Sequence, residues 1–321
     1  MNLNLTKILF VNSIMIGVMM AISSNNWISM WTSMEIGVLS VVPLMTQEKI
    51  SSDSPIKYFI VQSVSSSIMI TGMMTFMSMI NFKIFMTQAM LIKIGASPFH
   101  TWILSMIESV EYYVLFILFT LIKIPGMITL SILNEQLKLW SIMSMIVGAI
   151  MVINQSSIKK MLSYSSIYNL GVMMSSMNEN QIWVTYMLMY SLMLLMILMM
   201  IKKLKINYLN QMMINELETM TKISIWISLL SMAGLPPMMG FTIKMIILEK
   251  MVLKTEFMLT TVMLLSSMVM MFMYMRISFL AMTLYSTSIK WKMLKKSNID
   301  IKIMITNLIS TPVMITLKSL T

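Results

Sequence analysis

The sequence predicts an all-α polytopic membrane protein, and three observations predict it. Of 321 residues, 58% are hydrophobic and 11% are charged, whereas an average soluble domain carries roughly 25% charged residues. The mean hydropathy is +0.83. Apolar runs of about 17 residues or more, each long enough to cross a bilayer as a helix, recur from end to end. These runs fall near 5–23, 27–46, 57–80, 85–107, 112–133, 138–154, 161–177, 181–201, 222–249, 257–281 and 301–318. The expectation is therefore eleven transmembrane helices in a single membrane domain, 1–321.

Taken in order, each element has its own reason. The run Leu5–Ile22 has the hydrophobicity of a signal peptide. It lacks an A-x-A-like cleavage site and is followed at once by a second run, so it is expected to remain as a helix. Most connections are short; the exceptions are 202–221 and 282–300, the latter carrying Lys290, Lys292, Lys295 and Lys296. Spans one to five (1–137) and six to ten (138–283) read as two inverted five-helix units, followed by a connection and a last helix (284–321). The fourth span of each unit is interrupted by Gly and Pro and carries a lysine: LIKIGASPFHTW at 91–102 and AGLPPMMGFTIKM at 233–245. Pro removes an intrahelical hydrogen bond and Gly weakens helix propensity, so both spans are expected to break, near Gly95–Pro98 and Gly234–Gly240. Interrupted helices at matching places in two halves point to an ion or substrate pathway.

Lysine placement predicts orientation. Leaving aside Lys93, Lys123 and Lys244, and counting those at span ends, 15 Lys/Arg fall on the side of the N-terminus and five on the other. The positive-inside rule then puts the N-terminus on the cytoplasmic or matrix side and the C-terminus opposite. The net charge of +11 resides mainly in these connections, so nucleic-acid binding is not expected. There is no Cys and one His, which excludes Cys-ligated clusters, disulfides and thiol nucleophiles. Neither G-x-G-x-x-G nor a P-loop occurs, so no redox cofactor or nucleotide is expected in this chain. The 48 methionines fit an A+T-rich organelle genome that reads AUA as Met.

Four charges lie well inside apolar runs: Glu35, Lys93, Lys123 and Lys244. A Lys or Asp at a helix centre costs about 2.5–3.5 kcal/mol on the mildest insertion scale. One such residue can glue helices or snorkel to an interface. Four, three of them beside a Pro or Gly, argue for a hydrated interior. Buried lysines exchange protons more readily than hydrated ones, which is the chemistry of a relay. Glu35 is the only acid deep in a span and is expected to pair with Lys93; Lys123 and Lys244 are expected to face the interior in line with it. His100, beside Pro98, is either a proton carrier or a donor to carbonyls freed by the break. Tyr164, Ser165 and Ser166 read as helix–helix hydrogen-bonding residues, with Tyr164 and Ser165 accessory candidates for the pathway. Glu108, Glu111 and Arg276 read as interfacial charges.

Four segments, WTSMEIGVLSVVPL, LIKIGASPFHTW, INQSSIKKMLSYSSIYNLGVM and GLPPMMGFTIKM, resemble the antiporter-like membrane subunits of respiratory complex I. The likeness covers nearly the whole chain, and the length and helix count are similar to the short animal form of these subunits. The resemblance implies a proton-translocating module whose axis would be Glu35, Lys93, Lys123 and Lys244. It implies an inner mitochondrial membrane location, other complex I membrane subunits and lipids as partners, and no cofactor in this chain. FMN, iron–sulfur clusters, NADH and ubiquinone would serve the holoenzyme. The sequence departs from the pattern at Asn169, where many relatives have His, and at Val172, Leu104 and Ile122. Because Asn cannot titrate, proton transfer by the seventh span loses support; the charged axis is intact. A stand-alone cation/proton antiporter and a structural scaffold are the competing readings.

Overall fold

The computed structural model describes residues 5–46, 53–75, 82–133, 137–209, 211, 219–236, 238–283 and 304–307. Among them the regular elements are all helices, with one isolated bridge between Ser157 and Tyr208. The order is α1 Leu5–Ser23, α2 Trp27–Thr46, α3 Asp53–Thr75, α4 Phe82–Ile94, α5 Thr101–Met106, a 3-10 turn Ile107–Ser109, α6 Tyr112–Phe119, α7 Lys123–Leu133, α8 Lys138–Val152, α9 Ile158–Ser175, α10 Asn180–Leu204, α11 Thr219–Ala233, α12 Met239–Leu253 and α13 Phe257–Thr283. The chain divides into two compact units, Met1–Ser144 and Met145–Thr321, and the division falls within α8.

Among the described residues, five stretches are long and apolar enough to cross a membrane: Leu5–Ser23, Trp27–Thr46, Tyr112–Leu133, Gln181–Leu204 and Phe257–Phe279. The other apolar runs are divided into shorter helices or diluted by serines. The run at 85–107 forms α4 and α5, and that at 222–249 forms α11 and α12. The run at 112–133, expected as one helix, is interrupted too, between α6 and α7. The last expected span, 301–318, lies outside the described residues except for 304–307, which are helical.

In the first unit α1 packs along α2, and α3 along α4. Gly17 lets α1 and α2 approach, since a Cβ there would lie 2.8 Å from the Ser33 carbonyl. The hydroxyl of Ser13 bonds both the Phe10 carbonyl and Ser40 Oγ, each at 2.8 Å. Serines and threonines along the helices bond carbonyls three or four residues back in this way, so polar residues sit in apolar runs with their hydroxyls served. Large apolar side chains such as Leu9, Ile16 and Met19 point outward from α1, as suits a lipid-facing helix.

In the second unit α9 is enclosed by its neighbours: every residue from Met161 to Met174 is buried. Gly148 allows this, because a Cβ there would meet the Tyr168 backbone nitrogen at 2.6 Å. The chain entering α9 is tied to the segment after α10 by Ile158 N–H to Asn207 O and Leu209 N–H to Ser156 O, both at 3.0 Å. Around α9, α10 packs on α11 and α12, and α13 packs on α11 and α12.

Candidate proton pathway

In the first unit the polar groups gather where α4 stops. Gly95 follows at φ +73°, and a Cβ there would overlap the Ile103 side chain, so only glycine fits. The Ser97–Pro98 peptide is cis. The carbonyls of the last turn of α4 lose their helical partners, and side chains replace them. Trp102 Nε1 donates to the Ile92 carbonyl and Gln62 Nε2, from α3, donates to the Lys93 carbonyl, both at 3.2 Å. The end of α4 is thereby fixed from two sides.

Held there, Lys93 Nζ donates to Glu35 Oε1 of α2 at 2.9 Å. The lysine side chain is 6% exposed and the glutamate side chain 24%. Beside them lies a cavity of about 20 Å³, room for a water molecule, walled by Ser33, Gln62, Lys93, Pro125 and Gly126 among others. Tyr58 is fully buried within electrostatic reach of Glu35, and its hydroxyl has no hydrogen-bond partner among the described residues.

Lys123 is the first residue of α7. The turn before it is irregular: Ile122 N–H bonds Ile117 O five residues back, and Lys123 N–H bonds Thr120 O three back, each at 3.2 Å. Pro125 explains this, having no N–H for the Leu121 carbonyl and a ring that crowds the preceding turn. Gly126 then lets α7 approach α4, since a Cβ would lie 2.7 Å from Ile94 Cγ1. The Lys123 side chain is buried, with Nζ 5.2 Å from the centre of the Phe119 ring and no hydrogen-bond partner among the described residues.

In the second unit α11 ends at Ala233, Gly234 takes φ +83°, and α12 starts at Met239. Gly240 is equally constrained, because a Cβ there would run into the Ser231 carbonyl. Lys244, buried one turn into α12, reaches back and donates to the Ala233 carbonyl at 3.0 Å. Its Nζ lies 5.4 Å from the centre of the Tyr168 ring. Lys93 and Lys123 flank helix interruptions, and Lys244 instead caps one.

The remaining candidates are placed as follows. His100 is half-buried at the start of α5, with its ring hydrogen-bonded to the Pro98 backbone. Tyr164 and Ser165 are buried in α9, and Ser165 Oγ donates to the Leu162 carbonyl at 2.8 Å. Glu108 and Arg276 are exposed and Glu111 half-buried. Sequence reasoning missed Gln62, Trp102 and Tyr58, and a buried group of tyrosines: Tyr168 of α9, Tyr186 and Tyr190 of α10, and Tyr274 of α13. Tyrosine counts as apolar in a hydropathy scan, so nothing in the linear sequence marked them.

Residues 24–270 match the family described as NADH:quinone oxidoreductase/Mrp antiporter, TM. NADH-ubiquinone oxidoreductase chain 2 of Locusta migratoria is 34% identical, over 96% of this chain and 95% of its own. The protein of the same name from Anopheles gambiae is 31% identical over 84% of each. Among solved structures, a chain of respiratory complex I from Thermus thermophilus with bound aureothin is similar with TM-score 0.82 at 17% identity, over 96% of this chain and 77% of its own. A chain of the Mrp complex from Dietzia sp. DQ12-45-1b has TM-score 0.73 at 14% identity, over 84% and 59%. These two structures share the fold; the sequence relatives and the family match carry the assignment, and the chain belongs to the NADH:quinone oxidoreductase/Mrp antiporter membrane family, alongside the chain 2 proteins of NADH-ubiquinone oxidoreductase.

Proposed function

We propose that the chain is the proton-translocating antiporter-like subunit of a mitochondrial respiratory complex I. As a chain 2 homologue it is a subunit of an H⁺-translocating NADH:ubiquinone oxidoreductase. Electrons pass through other subunits, and this one gives protons a path through Glu35, Lys93, Lys123 and Lys244. The observation that carries the reading is the Glu35–Lys93 ion pair, closed at 2.9 Å inside an apolar bundle and beside a cavity that fits a water. Buried charges oppose insertion, so their retention calls for a functional reason. Proton transfer supplies one, because the pair sets a proton donor and an acceptor in direct contact beside that cavity.

We read the interruptions at 95–100 and 234–238 as the broken helices of two inverted five-helix units. The lysine distribution puts the N-terminus in the matrix and the C-terminus in the intermembrane space, with other complex I membrane subunits and lipids as neighbours. The test is proton pumping by the purified complex in sealed vesicles. Glu35→Gln is expected to assemble and to lose pumping while NADH oxidation falls through coupling. Full pumping at the wild-type NADH rate would refute the pathway. The family also embraces Mrp antiporters, which favours cation/proton exchange as a second reading. Exchange by this chain alone in liposomes would establish that reading in place of the first.

A further inference from the structure

Three tyrosine hydroxyls in the second unit are buried with no hydrogen-bond partner among the described residues: those of Tyr168, Tyr190 and Tyr274. Each residue is 1% exposed. They come from three helices, α9, α10 and α13, and converge around Tyr186, which is within electrostatic range of all three. Tyr186 itself donates to Asn169 Oδ1 at 2.8 Å. The flanking groups are polar as well. Ser165 lies beside Tyr274, Ser166 and Asn169 beside Tyr190, and Ser266 beside Tyr168. These serines donate their protons to carbonyls of their own helices, at Leu162, Ser163 and Val262. Each therefore keeps lone pairs free to accept.

Native proteins leave few buried polar atoms unpaired, and here three such hydroxyls surround one further tyrosine. A buried water with about three polar partners is the usual remedy. The cluster supplies that many donors and acceptors, and its three unpaired hydroxyls make no direct hydrogen bond among the described residues. It also touches the charged path, because the Tyr168 ring stacks against Lys244.

We propose that Tyr168, Tyr186, Tyr190 and Tyr274, with Asn169, hold a cluster of bound waters that carries protons between Lys244 and the interior of the second unit. The inference rests on the proton-pathway reading above. Each transfer breaks one O–H bond and forms the next; every hydroxyl that gives up its own proton receives another, so no tyrosinate accumulates and nothing is oxidised or reduced. Asn169 serves by orienting Tyr186 and never takes a proton.

The experiment compares two variants of the purified complex in sealed vesicles, Lys244→Met and the double variant Tyr190→Phe/Tyr274→Phe. Phe keeps the rings and removes only the hydroxyls. Protons pumped per NADH and the thermal midpoint are both read. The expected result is that the tyrosine variant loses the same share of pumping as Lys244→Met, and that its midpoint does not rise. If Lys244→Met loses pumping and the tyrosine variant keeps it, the water relay is overturned and the pathway stands. If both keep it, Lys244 carries no protons and both fall. A rise in midpoint on removing the hydroxyls would mean they were dry and unpaired, and would also overturn the proposal. Should the double variant fail to assemble, cryo-electron microscopy of the wild-type complex at a resolution that shows waters decides. Density bridging the hydroxyls upholds the cluster, and its absence overturns it.

Discussion

The ammonium of Lys123 rests 5.2 Å from the centre of the Phe119 ring, one turn earlier in the chain, and no oxygen among the described residues accepts a hydrogen bond from it. A cation–π contact of this kind returns at best about 2 kcal/mol when desolvated, less than the cost of holding an unpaired charge away from water. The site is poised rather than satisfied.

Lys123→Met is therefore expected to stabilise the complex and to disable it. The thioether fits the same space without the charge. The thermal midpoint should rise while protons pumped per NADH fall. A lower midpoint would mean that the ammonium contributes stability through a partner other than the described residues.

Glu35→Gln should act in the opposite sense on stability. Removing one partner of a fully buried pair costs about 3–5 kcal/mol. With the glutamate side chain 24% exposed, solvent offsets part of this and a loss of about 1–3 kcal/mol is expected. Denaturation of the variant beside the wild type checks the size, and the pumping assay checks the coupling.

Gln62→Leu removes the donor that serves the Lys93 carbonyl. A buried carbonyl left unpaired costs about 1–3 kcal/mol, and here the loss falls on the end of α4. Amide hydrogen exchange at Gly95 and Ala96 should speed up relative to α3, whose own backbone bonds are untouched. Equal protection in variant and wild type would show that the carbonyl is served otherwise.

Alanine at Gly148 or Gly240 should destabilise by about 1–3 kcal/mol or more, because the added methyl meets backbone at Tyr168 and Ser231, which cannot step aside. Gly37→Ala is the control: a Cβ there has nothing within 4 Å. Thermal unfolding of the three variants should separate the first two from the third.

What the sequence made legible was charge and punctuation. Glu35 and Lys93 stood out because an acid and a base inside apolar runs are costly, and their similar depth made a pair the cheapest arrangement. The glycines at 95 and 234 adopt positive φ, and helices end there because few other residues tolerate it. The interruption at 120–122 was not legible, since YYVLFILFTLI contains neither Gly nor Pro and Pro125 acts on the turn before it. The tyrosine cluster was invisible for a different reason. Tyr168 and Tyr274 are brought together by packing alone, and a phenol looks apolar until its hydroxyl is found buried.

The enclosure of α9 has a consequence for how the protein is made. IKKMLSYSSIYNLGVMMS carries two lysines and four serines, and it is not among the segments apolar enough to cross a membrane by themselves. It has no face suited to lipid, so it cannot partition into the bilayer alone and wait. Its partner α8 is synthesised before it, but α10 and α13, which supply Tyr186, Tyr190 and Tyr274, emerge later. A chain halted before α13 would leave α9 half-clad in hydrocarbon, with polar groups that only the finished unit covers. Biogenesis then has a point of commitment late in translation, and truncations upstream of residue 257 should be cleared by membrane proteases rather than accumulate as partial bundles.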